Sequence, residues 1–364
     1  MSDEHIPETN HHMFDAQVGT TVAVTYLHDP CIGWTEYLLD FIGSALSNEN
    51  EITPALVIPE TSHVTPAFDR LTEATGTPVF VEDSGGHRDF RSGMWAPNLA
   101  HFFEDGPHSR FKVSQQFLHP NPEPALVPTL MLSASIYHPA RRTTKLGRVT
   151  EIITETLLPG PSTTLSWGRY EPVGAPWDRG QLTDLARKLM PEAHFNLAAH
   201  SDLGTLSGTM TVARTSSGLE EYVEVSIAIP DLAPSQQADA VNTLLDTLAE
   251  QTKPQFVLAV RIQAFADTSL PTSIRRPPVP LAILIGAAGI RQLGVDVHDI
   301  ARQHAGRTYG SGRRQGLIVP FETMQADWSA LSSLVATLDG DAGNIARVLE
   351  DPTDGTGAGS THAS

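Results

Sequence analysis

A chain of 364 residues, 40% hydrophobic and 18% charged, has the composition of a folded protein and the length for two cores. Its 42 acids outweigh 24 Lys and Arg to give a formal net charge of -18, a surface that repels phosphate backbones and argues against nucleic acid as a partner. The single cysteine, Cys31, excludes an internal disulfide framework and a Cys-rich metal site, so no metal or cofactor is expected.

The first ten residues are acidic and polar, unlike a secretory signal. The longest apolar run, 279–290, contains Pro280 and Gly286 and is too short to span a bilayer. These features predict a cytoplasmic protein without membrane insertion. Residues 1–14 and the Gly, Thr and Ser-rich tail 351–364 read as disordered.

In chain order, 20–27 reads as a β-branched strand with Cys31 a small buried hydrophobe after it. A helix over 34–46 has Tyr37, Leu38, Phe41, Ile42 and Ala45 on one face. A strand at 54–58 precedes a short helix from Thr65-Pro66 to Gly76, with proline at a first-turn position where its missing N–H costs nothing. The strand 78–82 enters the turn Asp83-Ser84-Gly85-Gly86, with 88–91 as a return strand. The Pro-rich piece 119–124 reads as a linker and sets a boundary between a β-α-β-α-β domain at 15–125 and an α+β domain at 126–350.

Beyond it, a strand at 129–137 leads to a helix over 144–158 that Pro159-Gly160 stops. Asp178 caps the next helix, with Gln181 three residues on completing a capping-box pattern, and Pro191 ends it. Strands follow at 195–200, 208–214 and 221–229, the last two joined as a hairpin through Ser216-Ser217-Gly218. The helix 234–250, strands 255–265, 281–285 and 316–319, a helix 296–304 and a closing helix from Trp328 complete the set, with a short helix reaching Leu349. The expected class is α+β: two α/β subdomains, the second a largely antiparallel mixed sheet with helices packed on one face.

The segment 167–177 holds two of five tryptophans between Gly and Pro residues. Trp167, Tyr170 and Trp177 offer rigid apolar contacts, and Arg169 with Glu171 offers polar specificity, the mix expected of a binding hot spot. Capping explains Asp178, whereas Glu171 has no such local duty. The alternative is that the tryptophans plug the core and Glu171 serves the backbone. A basic island at 309–314 makes Arg313 and Arg314 a weak anion-site candidate. His200 with Asp202 invites a base-and-orienter reading but has no activated nucleophile beside it.

The runs Leu158-Pro159-Gly160-Pro161, Ser166-Trp167-Gly168-Arg169-Tyr170-Glu171-Pro172, Trp177-Asp178, Leu182-Thr183-Asp184-Leu185-Ala186-Arg187 and Met190-Pro191 resemble the actinobacterial domain of unknown function 6177 family. Arg214-Thr215, Gly218-Leu219-Glu220-Glu221 and Trp328 resemble it too. The resemblance covers roughly residues 15–340 and implies an intracellular protein of a high-GC Gram-positive source, with no assigned chemistry. Proximity to secretion or toxin gene clusters in such families implies a chaperone, adaptor or immunity role. Two functions stand: a protein-binding adaptor, with homo-oligomerisation open, and an enzyme with a dispersed active site near the 167–177 loop built on Glu171 or His200.

Overall fold

The computed structural model describes residues 11–47, 52–104, 111–321 and 327–339. Residues 1–10 of the stretch expected to be disordered, the short helix ending at Leu349 and the tail lie outside the described residues, whereas Met13 and Phe14, also expected to be disordered, pack against the N-terminal core.

Two large sheets organise the chain. The N-terminal sheet has seven strands, and its middle is a parallel run of Val22–Tyr26, Thr53–Ile58 and Val79–Asp83. Helices Glu36–Leu46 and Pro66–Ala74 make the crossovers, as the β-α-β-α-β pattern predicts. Thr35 and Thr65 cap them: each hydroxyl accepts from a first-turn N–H, that of Leu38 at 3.2 Å or Phe68 at 3.1 Å. Short antiparallel strands extend the sheet, beginning with Gly86–Asp89. Its turn uses Ser84 and Gly85, both at positive φ (44° and 81°), the pairing a tight hairpin demands.

The second sheet has ten strands, with every observed pair antiparallel. Its centre is Val127–His138, flanked by Leu219–Ala228 and Pro254–Ala264. The hairpin expected around Ser216-Ser217-Gly218 joins Thr205–Arg214 to Leu219–Ala228. Helices Arg148–Leu157, Arg179–Leu189 and Pro234–Gln251 bury their apolar stripes on one face, in a core shared with Leu130, Phe195 and Leu284. Because side chains alternate along a strand, Ile283 and Ile285 fall on the other face, where they meet Ile290, Ile300 and Leu334 of three later helices. The α+β class is therefore what the structure shows, with covering extended to both faces.

The helix expected from 144 starts at Arg148. Gly147 stands before it at φ 83°, a left-handed conformation that breaks the helical run. The asymmetry is compensated by Glu221, whose two carboxylate oxygens each accept from the Gly147 N–H at 3.1 Å. Glu221 is fully buried and also meets His138 Nε2 at 2.9 Å.

The third sheet is small and knits the two layers. Cys31–Ile32 pairs in parallel with His63–Val64, and Leu270–Pro271 adds antiparallel on the other side. Leu270 and Ala264 lie in the core of the N-terminal layer, beside Phe41, Leu56 and Phe68. Residues after the Pro254–Ala264 strand thus return to the layer that the chain left near residue 120.

Candidate functional site

The 167–177 loop divides its aromatic residues between support and contact. Trp167 lies on the strand Thr164–Gly168, is buried, sits edge-on to Phe195 with ring centroids 5.6 Å apart, and donates Nε1–H to the Pro176 carbonyl at 3.1 Å. It is a core residue, and its indole is turned away from any partner surface. Trp177 is half-buried, donates to Glu151 Oε1 at 3.1 Å and lines an open hollow of about 430 Å³ beside Pro159. Arg169 is exposed and its guanidinium stands 5.3 Å from the centre of the Tyr170 ring.

Glu171 leaves the loop and crosses to the N-terminal layer. One oxygen, Oε2, accepts from the Trp34 N–H at 2.7 Å and from the Thr65 hydroxyl at 2.6 Å. Its own N–H donates to the Trp34 carbonyl at 2.8 Å. Burial raises its pKa above the ordinary carboxylate value, and the two donated bonds work in the opposite direction. The carboxylate thus meets Trp34 and Thr65, while Arg169 lies over Tyr170, so the two polar residues of the loop are turned to different neighbours. Gly33 sits against this carboxylate: a Cβ there would lie 3.1 Å from Oε2.

A cleft of about 360 Å³ opens where the helix Pro66–Ala74 meets the polar face of the central sheet. Met131, Ile262, Leu270 and Pro278 give it apolar wall, while Asp69, Arg70, Glu73, Glu224, Arg275 and Arg276 rim it with both signs of charge. Arg70 pairs with Glu224, its guanidinium 4.8 Å from the Tyr222 ring centre, and Arg275 reaches Asp69 at 2.5 Å. Burial opposes the Arg70 charge, but Glu224 and Tyr222 outweigh it and raise the pKa. The rim is thus held in place by ion pairs before any ligand arrives.

Within electrostatic reach of Glu171, Cys31 converges with His63 and Asp267, one ligating atom from each lying within 4.8 Å of the others. This corrects the expectation of a buried Cys31: the residue is exposed, because its two-residue strand lies at the margin of the small sheet. Although exposed, its thiol is pushed up to about 11 by local burial and by the carboxylates of Asp267, Glu171 and Asp29. A thiol so held is protonated at neutral pH and a poor nucleophile.

The other candidates stand apart. His200 is exposed at a strand end, and Asp202 takes the Ser162 hydroxyl at 2.8 Å. Arg313 and Arg314 form an exposed turn between the strands Arg307–Tyr309 and Gly316–Pro320, at the edge of the ten-stranded sheet opposite to the 167–177 loop. Sequence reasoning missed the cleft and the Cys31 cluster, and it named Glu221 within the family resemblance without giving it a structural role. Of these only Glu221 carried a local signal, since its strand alternation turns it inward with Val223 and Val225.

No curated protein matches the sequence. Among solved structures this chain is similar to Pseudomonas aeruginosa T6SS protein PA0821, with 14% identity, a TM-score of 0.34, and coverage of 55% of this chain and 68% of that one. Among the described residues no helix is long and apolar enough to cross a membrane. Residues 129–340, more than half of the chain and nearly the whole central sheet with its helices, match the family model described as DUF6177, C-terminal domain, and the chain belongs to the DUF6177 family.

Proposed function

We propose that this protein is an adaptor that binds another protein, of the chaperone or immunity kind beside a secretion or toxin system, and that the junction cleft is its recognition surface. The observation that carries the reading is the cleft itself: about 360 Å³, apolar inside, rimmed by prearranged charges of both signs. An apolar anchor side chain from a partner segment fits the interior, and charges flanking that anchor meet Glu73 and Arg276 at the exposed rim. Helix and strand positions such as Asp69, Met131, Glu224 and Ile262 supply much of the wall, and Arg275 in the segment between the strands is tied to Asp69, so little ordering cost falls on binding. In this reading Arg169 and Tyr170 are peripheral contacts, and Trp167 and Glu171 hold the loop.

The test is capture of partners from the native source, followed by mass spectrometry. Met131→Trp, which fills the cleft, is expected to abolish capture, and Arg276→Glu to weaken it about tenfold or more through the rim charge. Capture that survives both substitutions overturns the assignment. A second reading, an acid–base enzyme, draws on the raised pKa of Glu171. Its two bonds to Trp34 and Thr65 give that carboxylate a structural occupation already.

A further inference from the structure

We propose that Cys31, His63 and Asp267 form a binding site for a borderline-soft divalent cation, Zn²⁺ foremost, through one sulfur, one imidazole nitrogen and one carboxylate oxygen. The three ligating atoms lie within 4.8 Å of one another. In a tetrahedral zinc site with bonds of about 2.0–2.3 Å, neighbouring ligand atoms stand roughly 3.5 Å apart, so small side-chain rotations close the site. The donor set of thiolate, imidazole and carboxylate is one that suits Zn²⁺ better than Mg²⁺ or Ca²⁺, which want oxygen alone.

The backbone brings the donors together from three distant segments. Cys31 and His63 are register partners on adjacent parallel strands, so their side chains share a face. Pro271 pairs with His63 on its other side, and the tight turn before it, with Thr268 at φ 72°, delivers Asp267. Asp267 is pinned there: Oδ1 accepts from the Ser269 N–H at 3.0 Å and from the Ser269 hydroxyl at 2.5 Å.

Ser269 also fixes the histidine. A hydroxyl has one proton, and here it goes to Asp267. Toward His63 Nδ1, 2.6 Å away, Ser269 Oγ therefore acts as acceptor. That places the imidazole proton on Nδ1 and the lone pair on Nε2, the nitrogen that is assigned the ligand role. A ligating histidine whose other nitrogen donates to a held oxygen is the usual outer-shell arrangement of metal sites. The carboxylates of Asp29 and Glu171 add negative charge around the sulfur, a field that favours a cation. On binding, the sulfur–metal bond replaces the S–H bond and the proton leaves to solvent. Three protein ligands leave a fourth position for water or a donor atom from a partner.

The experiment uses the full chain in chelator-treated buffer, titrated with Zn²⁺ in a calorimeter and with Co²⁺ in a spectrophotometer. The expected result is one tight equivalent and a thiolate-to-cobalt charge-transfer band. Cys31→Ser removes the band, and it weakens Zn²⁺ binding by more than the ~10–100-fold typical of losing an outer-shell partner; Ser269→Ala falls within that range. Circular dichroism verifies that each variant is folded, and Asp267→Asn supplies a second ligand loss should Cys31→Ser fail that check. The chain has 15 histidines, so adventitious binding is the rival. Absence of the charge-transfer band, or Zn²⁺ affinity unchanged in the ligand variants, overturns the proposal.

Discussion

Replacing Glu171 in two ways separates what its bonds contribute from what its charge costs. Both donors, the Trp34 N–H and the Thr65 hydroxyl, meet the same oxygen, Oε2. Glu171→Gln can place its amide oxygen there, keep both bonds and bury no charge. Glu171→Ala orphans both donors. Trp34 is only 4% exposed, so its N–H bears most of the ~1–3 kcal/mol penalty of an unmade buried bond. The Thr65 hydroxyl can rotate and bears less. A loss of about 2 kcal/mol is expected for Ala, against a change within roughly 1 kcal/mol for Gln.

The pH dependence has a definite sign. Burial raises the native pKa of Glu171 above its ordinary 4.5, so between those two values the native state binds more protons than the unfolded chain. Stability from this group is therefore complete below pH 4.5 and falls as pH rises through the native pKa. The Gln variant lacks this loss, so its stability relative to wild type grows across that window and then levels. Urea unfolding followed by tryptophan fluorescence reads this directly, because Trp34 and Trp167 are both buried. If Glu171→Gln unfolds as easily as Glu171→Ala at every pH, the charge itself holds the junction and the reasoning is refuted.

Glu221→Ala strips the Gly147 N–H and His138 of a fully buried acceptor, and a fall of ~3–5 kcal/mol in the urea-derived stability is expected. Gly147→Ala forces a side chain to φ 83° and puts its Cβ 2.7 Å from the Trp177 ring, so thermal melts should show a loss of about 1–3 kcal/mol. Adding Trp177→Ala to Gly147→Ala relieves the clash, and the double variant should lose less than the two single losses combined.

Elements with local signals were legible: the Ser84-Gly85 turn, the Thr65-Pro66 helix start and the Asp178 cap all use residues whose backbone preferences act within four positions. The site was not. Trp167 has the same composition value as core or as contact, and Phe195 on the neighbouring strand decides the matter. Alternation within Thr164–Gly168, which puts Leu165 and Trp167 on one face, was the available clue. Cys31, His63 and Asp267 come together only through the register of two-residue strands, which no periodicity can reveal. Glu171 depends on a contact with Trp34, 137 positions away.

Those long contacts bear on the boundary expected near residue 125. The N-terminal layer receives two separate pieces of the later chain. Glu171 binds the turn before one helix and the cap of the next, while residues 264–275 supply Ala264 and Leu270 to the core and a strand against His63–Val64. The second piece also serves Arg88, which is 1% exposed: its partners are Asp83 at 3.0 Å and the Thr272 carbonyl at 2.7 Å. Burial lowers the Arg88 pKa, so the charge relies on both. A fragment ending at residue 125 keeps Asp83 but loses Thr272 and exposes the apolar surface that Leu270 covers. Such a fragment is expected to lack a cooperative urea transition, whereas co-expression with residues 126–364 restores one. A sharp, independent transition for the fragment alone would show that the later segments only decorate a self-sufficient layer.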